Sequence, residues 1–296
     1  MPKITYETKH FTPGTLATIR EAEGIISEYQ AQGFSLTLRQ VYYQFVARGL
    51  IPNTERDYKR LGNIISDARR AGMIDWSAIE DRTRFLRKLS AWSSPQDILD
   101  SAKSSYHRDL WENQEKRIEV WIEKDALVGV IEGVCNESDV PFFSCRGYVS
   151  DSEMWGGAMR MRRHTREEQG VIVLHLGDHD PSGLDMTRDI RDRLALFSGY
   201  ADIEVRRIAL SMEQIEEQRP PPNPAKVTDS RYENYAAEFG DESWELDALE
   251  PKYIVELIWE QIFAERNIEK WDEAVSQQEA EREQIQQVIE RWGELF

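Results

Sequence analysis

Cysteine is scarce in this 296-residue chain, which holds only Cys135 and Cys145. The two form no CxxC pair and suggest no disulfide framework, so a reduced compartment with structural thiols is expected. Histidine is nearly as sparse, with five residues and no zinc spacing among them. No apolar stretch is long enough to span a bilayer, and no basic-then-apolar signal opens the chain, so no membrane partner and a cytoplasmic location are expected. There is neither a P-loop nor another ATP-binding fingerprint, which leaves no ATP site in this chain. Internal repeats and disordered tracts are also missing. What is present is a hydrophobic share of 40%, enough for the cores of two modest domains.

Positive charge is in deficit overall, at a net −17, but the deficit is uneven. Residues 1–110 carry 16 Lys and Arg against 13 Asp and Glu, whereas residues 111–296 carry 21 against 41. Within 36–90 the balance is 11 basic to 6 acidic. A nucleic-acid partner depends on such a local footprint more than on the total, although an acidic second half weakens binding and steepens its salt sensitivity. A solvated basic face explains the same charges, so they do not decide the matter alone.

The amino-terminal part reads as helices. Apolar positions at Leu16, Ile19, Ile25 and Ile26 predict a helix over 11–33, stopped by Gly33. Thr37-x-x-Gln40 looks like a capping box opening a second helix through about Ala47. A third helix is predicted over 55–71, closed by Gly72, and Met73–Phe85 has the composition of a short β-hairpin. Helix, helix, helix, hairpin is a winged-helix order, in which the basic third helix (Arg56, Lys59, Arg60, Arg69, Arg70) would enter the major groove of double-stranded DNA. Other small helical bundles share that order. A domain over 1–90 is therefore expected, followed by a polar, Ser-rich linker over 91–116.

From 117 onward the pattern changes to alternating strands and helices. Strands are predicted at 118–122, 141–145, 171–176 and 203–209, with helices over 125–135, 151–168 and 183–197 between them. This predicts an α/β fold with a mostly parallel sheet in a domain over 117–250. A proline cluster, Pro220–Pro222 and Pro224, marks a surface loop, and a long acidic amphipathic pattern over 252–292 predicts a helical extension over 251–296. Its apolar stripe suits packing on its own domain or self-association.

Three carboxylates sit where buried strands run out. Glu123 follows IEVWI, and Asp178 and Asp180 follow VIVLHL within GDHDPSG. Ligands of open α/β sheets gather at such strand ends. Three acids converging there repel one another unless a cation intervenes, and an all-oxygen set favours Mg²⁺ or Mn²⁺. A single acid after a strand is ordinarily a helix cap or turn residue. Asp-x-Asp-Pro-Ser-Gly with an upstream Glu on a second strand is harder to obtain from capping alone. Strand geometry turns His179 away from its neighbours and out of the metal shell.

On the second helix, Leu38, Val41, Tyr42, Phe45 and Val46 share one apolar stripe at about 100° per residue. Tyr42 is then the core aromatic, while Tyr43 is expected to be exposed, one turn above Arg39. A phenolic nucleophile attacking a phosphodiester needs that pairing of hydroxyl and cation. An exposed Tyr beside an Arg is more often plain surface.

At this point LTLRQVYYQF (36–45), WIEKDAL (121–127), RGYVSD (146–151), GDHDPSGLDM (177–186) and SWELDALEPKYIVELI (243–258) resemble, in order, the A subunit of topoisomerase VI and its relative, the meiotic double-strand-break transesterase. The resemblance implies a winged-helix domain carrying a catalytic tyrosine and a Toprim domain holding Mg²⁺. Tyr43 matches the nucleophile, Arg39 the active-site arginine, and Glu123, Asp178 and Asp180 the metal ligands. It further implies a homodimer whose active sites are shared between subunits, cutting double-stranded DNA with 5′-phosphotyrosyl links, in the bacterial cytoplasm or nucleoid. The segment before the tyrosine helix is shorter than the family's usual one, as in compact stand-alone bacterial or phage relatives, and strand passage would need a separate ATPase subunit. The competing expectations are a Toprim nuclease that hydrolyses DNA with metal-activated water, and a non-catalytic DNA-binding partner.

Overall fold

Thr12 and Thr54 cap the first and third helices through their hydroxyls, and Thr37 with Gln40 closes the expected capping box on the second. These devices satisfy the free N–H groups of each first turn and set where the helices begin. In the computed structural model, which describes residues 3–79 and 89–295 with side chains as far as Trp292, they start α1 (Pro13–Gln30), α2 (Leu38–Ala47) and α3 (Glu55–Arg70). Ile19, Ile25, Tyr29, Leu36, Val41, Phe45, Leu61 and Ile65 form one buried core between them. Acidic Glu55 and Asp57 start α3 and basic Arg69 and Arg70 end it, matching the helix dipole.

Beyond α3 the chain departs from the hairpin expected over 73–85. Trp76–Ala78 makes a single 3₁₀ turn and Ile79 bridges Leu36 in parallel. Arg69 ties this turn down, donating to the Trp76 carbonyl and stacking on the indole at 4.6 Å. The remainder of that expected hairpin, from residue 80 on, lies outside the described residues.

After α4 (Pro95–Ser105) comes the α/β half: β1 (Lys116–Ile122), α5 (Val128–Glu137), β2 (Phe142–Ser144), α6 (Asp151–Arg166), β3 (Gly170–Leu176), α7 (Pro181–Ser198) and β4 (Ile203–Ala209). All four strands are parallel, in the order β2-β1-β3-β4. Period-two side-chain alternation builds a core on each face. Ile118, Val120, Ile122, Ile172, Leu174 and Leu176 face α5, whereas Trp121, Val171, Val173 and Val205 face α6 and α7. The chain runs from β1 outward to β2 and then back past β1 to β3. The winding direction therefore reverses between β1 and β3, the position at which open α/β sheets leave a crevice beyond their carboxyl ends.

Residues 211–250 are more structured than a proline-rich loop. They contain α8 (Met212–Gln218), α9 (Tyr232–Phe239), and a two-stranded antiparallel ribbon of β5 (Asn223–Pro224) and β6 (Glu242–Ser243). The long carboxyl-terminal pattern also divides, into α10 (Pro251–Glu265) and α11 (Ile268–Leu295), giving eleven α-helices among the described residues. The break falls at Arg266, whose guanidinium sits over both Phe263 and Trp271, and at Asn267, whose backbone is held from both sides by Gln114. α10 joins the sheet core through Ile254, Ile258 and Ile262, and α11 packs on α4 through Lys103 to Gln286 (2.7 Å) and Tyr106 to Glu281 (2.5 Å). No described helix is long and apolar enough to cross a membrane.

Candidate active site

The helical unit meets the α/β half along one seam, and the acids of 245–250 line it. Gln44 donates to Glu250 (3.0 Å), Tyr29 hydrogen-bonds the same carboxylate, and Asn53 reaches Pro222 O (3.1 Å) and Asn223 (2.6 Å). Ala248 enters the helical core itself.

This seam overturns the expected exposure of Tyr43. Its side chain is 4% exposed, as is that of Tyr42. Helical periodicity correctly places Tyr42 on the stripe with Val41 and Phe45. It cannot register the 244–250 segment, which covers the opposite side of α2. The Tyr43 hydroxyl nonetheless lies in a polar setting, interacting with the Arg39 guanidinium and the Glu245 carboxylate. Arg39 lies 5.8 Å from the Tyr43 ring centre, ion-paired with Glu245 and with Asp247 (3.1 Å). Burial pushes the phenol's pKa upward, and the charges of Asp247 and Glu245 push it further against the pull of Arg39. The two tyrosines and Arg39 line a cleft of about 360 Å³, closed by Asn53, Tyr58 and Lys59.

At the β1–β3 reversal, Glu123, Asp178 and Asp180 are neighbours whose charges act on one another, but they play three different parts. Glu123 accepts from the Asp178 backbone N–H at 2.9 Å. Asp178 is committed on both oxygens, to Leu246 N (2.8 Å) and to the Lys124 ammonium (3.0 Å). Asp180 caps α7, accepting from Gly183 N (2.6 Å) and Ser182 (2.9 Å) through one oxygen. The capping reading of the Asp-x-Asp motif thus holds for Asp180. Burial pushes Asp178 up to about 7 against the pull of Lys124, with Glu123 and Asp247 adding to the rise. Burial raises Glu123 as well.

No group of three His, Cys, Asp or Glu among the described residues forms a ready metal pocket. Two carboxylates do fit a cation: no described residue hydrogen-bonds the second oxygen of Glu123 or of Asp180. Mg²⁺ commonly takes one or two carboxylates and completes its shell with water or substrate oxygens. His179 lies where strand geometry puts it, outside this set, bonded to Tyr235 and packed against Phe239 and Trp244.

The sequence pattern shows the acids as unopposed, and two part-buried cations correct that. Lys124 bridges Asp178, Glu245 (2.7 Å) and Asp247 (3.0 Å), so it links the strand-end acids to the Tyr43 cleft. Arg207 on β4 donates to the carbonyls of Gly177, Asp178 and Gly183 and to Thr187, clamping the turn that carries both aspartates. Burial lowers its pKa to about 10. Of the third-helix cations, Arg56, Lys59, Arg60 and Arg70 are exposed, whereas Arg69 is consumed in holding Trp76.

No family model, curated protein or solved structure matches this chain. The functional reading therefore rests on the residues themselves. Lys124, Glu245 and Asp247 lie within the sequence blocks 121–127 and 243–258, and the signal that marks them is charge: Asp247 is buried, and Lys124 and Glu245 are part-buried, each beside an apolar run.

Proposed function

We propose that this protein is a DNA-cleaving transesterase of the type IIB topoisomerase A-subunit kind, with the helical unit as a winged-helix domain and the α/β half as a Toprim domain. The observation that carries the reading is the continuous charged network from Tyr43 and Arg39 through Glu245, Asp247 and Lys124 to Asp178 at the sheet's reversal point. Tyr43 Oη forms a bond to a DNA phosphorus as the bond from that phosphorus to the 3′-oxygen breaks. The phenolic proton leaves and the 3′-oxygen gains one, so the 5′-phosphotyrosyl link conserves the ester and the reverse step reseals. Arg39 neutralises the phosphate oxygens. Glu245 is not the proton acceptor: despite burial, Lys124 and Arg39 hold it down to about 2, too weak a base for a phenol. Water, or a group from a second subunit of a homodimer, takes that part. Glu123 and Asp180 would hold Mg²⁺ or Mn²⁺, which when bound supplies charge stabilisation at the phosphate, and Asp178 positions the turn. Arg56, Lys59 and Arg60 contact double-stranded DNA along α3. ATP, if used, comes from a separate subunit.

One observation favours a second reading, hydrolysis by a Toprim nuclease without a covalent intermediate. Tyr43 is buried and its neighbours keep the phenol protonated, while the strand-end acids do not depend on it. Supercoiled plasmid incubated with Mg²⁺ and then treated with detergent separates the two. The transesterase leaves protein on 5′ ends and Tyr43→Phe abolishes the adduct while retaining the fold. Free 5′ ends with unchanged activity in Tyr43→Phe would decide for the nuclease.

A further inference from the structure

The Trp244–Leu249 segment crosses from the α/β half to lay two carboxylates on Arg39. Glu245 bonds one terminal nitrogen and Asp247 lies 3.1 Å from Nε, so the guanidinium edge facing the seam and Tyr43 is taken by oxyanions of this same chain, while the rest of the side chain is exposed. A phosphodiester oxygen carries the same charge and seeks the same donors. It cannot share them with two carboxylates without strong like-charge repulsion. Glu245 also lines the Tyr43 cleft, so its charge stands beside the hydroxyl that phosphorus would have to approach.

We propose that Glu245 and Asp247 form a built-in anionic plug that occupies the phosphodiester-binding face of Arg39, so that DNA reaches Tyr43 only when the Trp244–Leu249 segment withdraws. This rests on the reading of Arg39 and Tyr43 as the DNA-reacting pair. The segment is held by apolar burial, with Trp244, Leu246 and Leu249 in the sheet core and Ala248 in the helical core, and by backbone hydrogen bonds, so the closed arrangement is the resting one. His179 and Trp244 exchange backbone hydrogen bonds of 2.9 and 3.0 Å, and Leu246 N donates to Asp178. The last of these makes the plug regulatory. Withdrawal of Leu246 frees an oxygen of Asp178, and withdrawal of Glu245 and Asp247 leaves Lys124 without two of its three partners. Opening the cleft therefore also frees Asp178, the strand-end acid beside Glu123, at the same time as the nucleophile.

The test measures binding of a fluorescein-labelled DNA duplex by anisotropy, and the reactivity of Arg39 towards phenylglyoxal by mass spectrometry. Both are applied to wild type, Glu245→Gln, Asp247→Asn and Glu55→Gln. Glu55 lines the same cleft but pairs with Lys59, so it controls for general loss of negative charge. The plug predicts that Glu245→Gln speeds Arg39 modification and tightens duplex binding by about tenfold, that Asp247→Asn acts in the same direction, and that Glu55→Gln leaves Arg39 modification unchanged. In an Arg39→Gln background the gain from Glu245→Gln disappears. Unchanged Arg39 reactivity in Glu245→Gln, or a gain that survives Arg39→Gln, overturns the plug. Faster Arg39 modification with no duplex binding by any variant supports the plug and overturns the DNA reading instead.

Discussion

Lys124 carries more of the site's electrostatics than any other side chain. Its part-buried ammonium sits among Asp178, Glu245 and Asp247, and among the described residues it is the only lysine that touches all three. Removing one partner of a buried ion pair leaves uncompensated charge, at a cost of about 3–5 kcal/mol. Lys124→Met should therefore lower the urea midpoint strongly, and adding Asp247→Asn should restore part of the loss; a Lys124→Met protein as stable as wild type would show that solvent already screens this cluster. Such residues were hard to read in the sequence because a Lys between Glu and Asp looks like ordinary solvated surface. Only folding reveals that residues 121 positions apart share one charge. His175 adds a pH dependence. Burial, and secondarily Arg207, depress its pKa from 6.5 to about 3, with Nδ1 bonded to Thr187. The unfolded chain then binds a proton that the folded chain refuses, so stability is full above about 6.5 and falls as pH drops toward 3. Melting temperature between pH 7 and 5 should decline more steeply for wild type than for His175→Gln, and parallel slopes would count against this assignment.

Among elements, α7 shows how one glycine fixes the turn at the end of β3. Its first turn is pressed against the strand-end loop so closely that a Cβ on Gly183 would stand 2.2 Å from the Asp178 carbonyl oxygen. That contact is backbone, which cannot swing aside. Gly183→Ala should push α7 away from β3, costing about 1–3 kcal/mol as overpacking does, and should shift the Asp178–Asp180 turn. A thermal melt combined with Mg²⁺-dependent protection in hydrogen exchange would show both effects; a variant with native stability and native Mg²⁺ response would mean the turn adapts. The strands were the most legible elements: the central β3, buried on both faces, reads as a continuous apolar run, and even the edge strand β4, with its charged Glu204, Arg206 and Arg207, matches its expected span. The capping box on α2 was legible for the same local reason. α8, α9 and the β5–β6 ribbon were not, because each is too short to show a periodicity; α8 has a local Ser211–Gln214 capping box but runs only seven residues, and α9 and the ribbon are held by distant partners. Tyr235, for instance, is anchored to His179.

At the scale of the whole molecule, the two halves carry opposite tendencies, and the seam between them is polar. Residues 1–110 hold a slight basic excess and the remainder a large acidic one. Where they meet, Glu250 is the pivot: its carboxylate takes both Tyr29 of α1 and Gln44 of α2, at the start of α10. Losing one shared acceptor leaves a buried hydroxyl and a buried amide without partners, each costing about 1–3 kcal/mol. Neither the helical core around Ile25 and Phe45 nor the sheet core around Val120 and Leu174 depends on that bond. Glu250→Ala should therefore loosen the docking while sparing each half. Hydrogen exchange should quicken in α1 and α2 and stay slow in β1 and β3, and if the plug is released with the seam, Arg39 should become reactive too. Uniformly faster exchange across both cores would instead mean that the halves fold as one cooperative unit and that the seam is not a hinge.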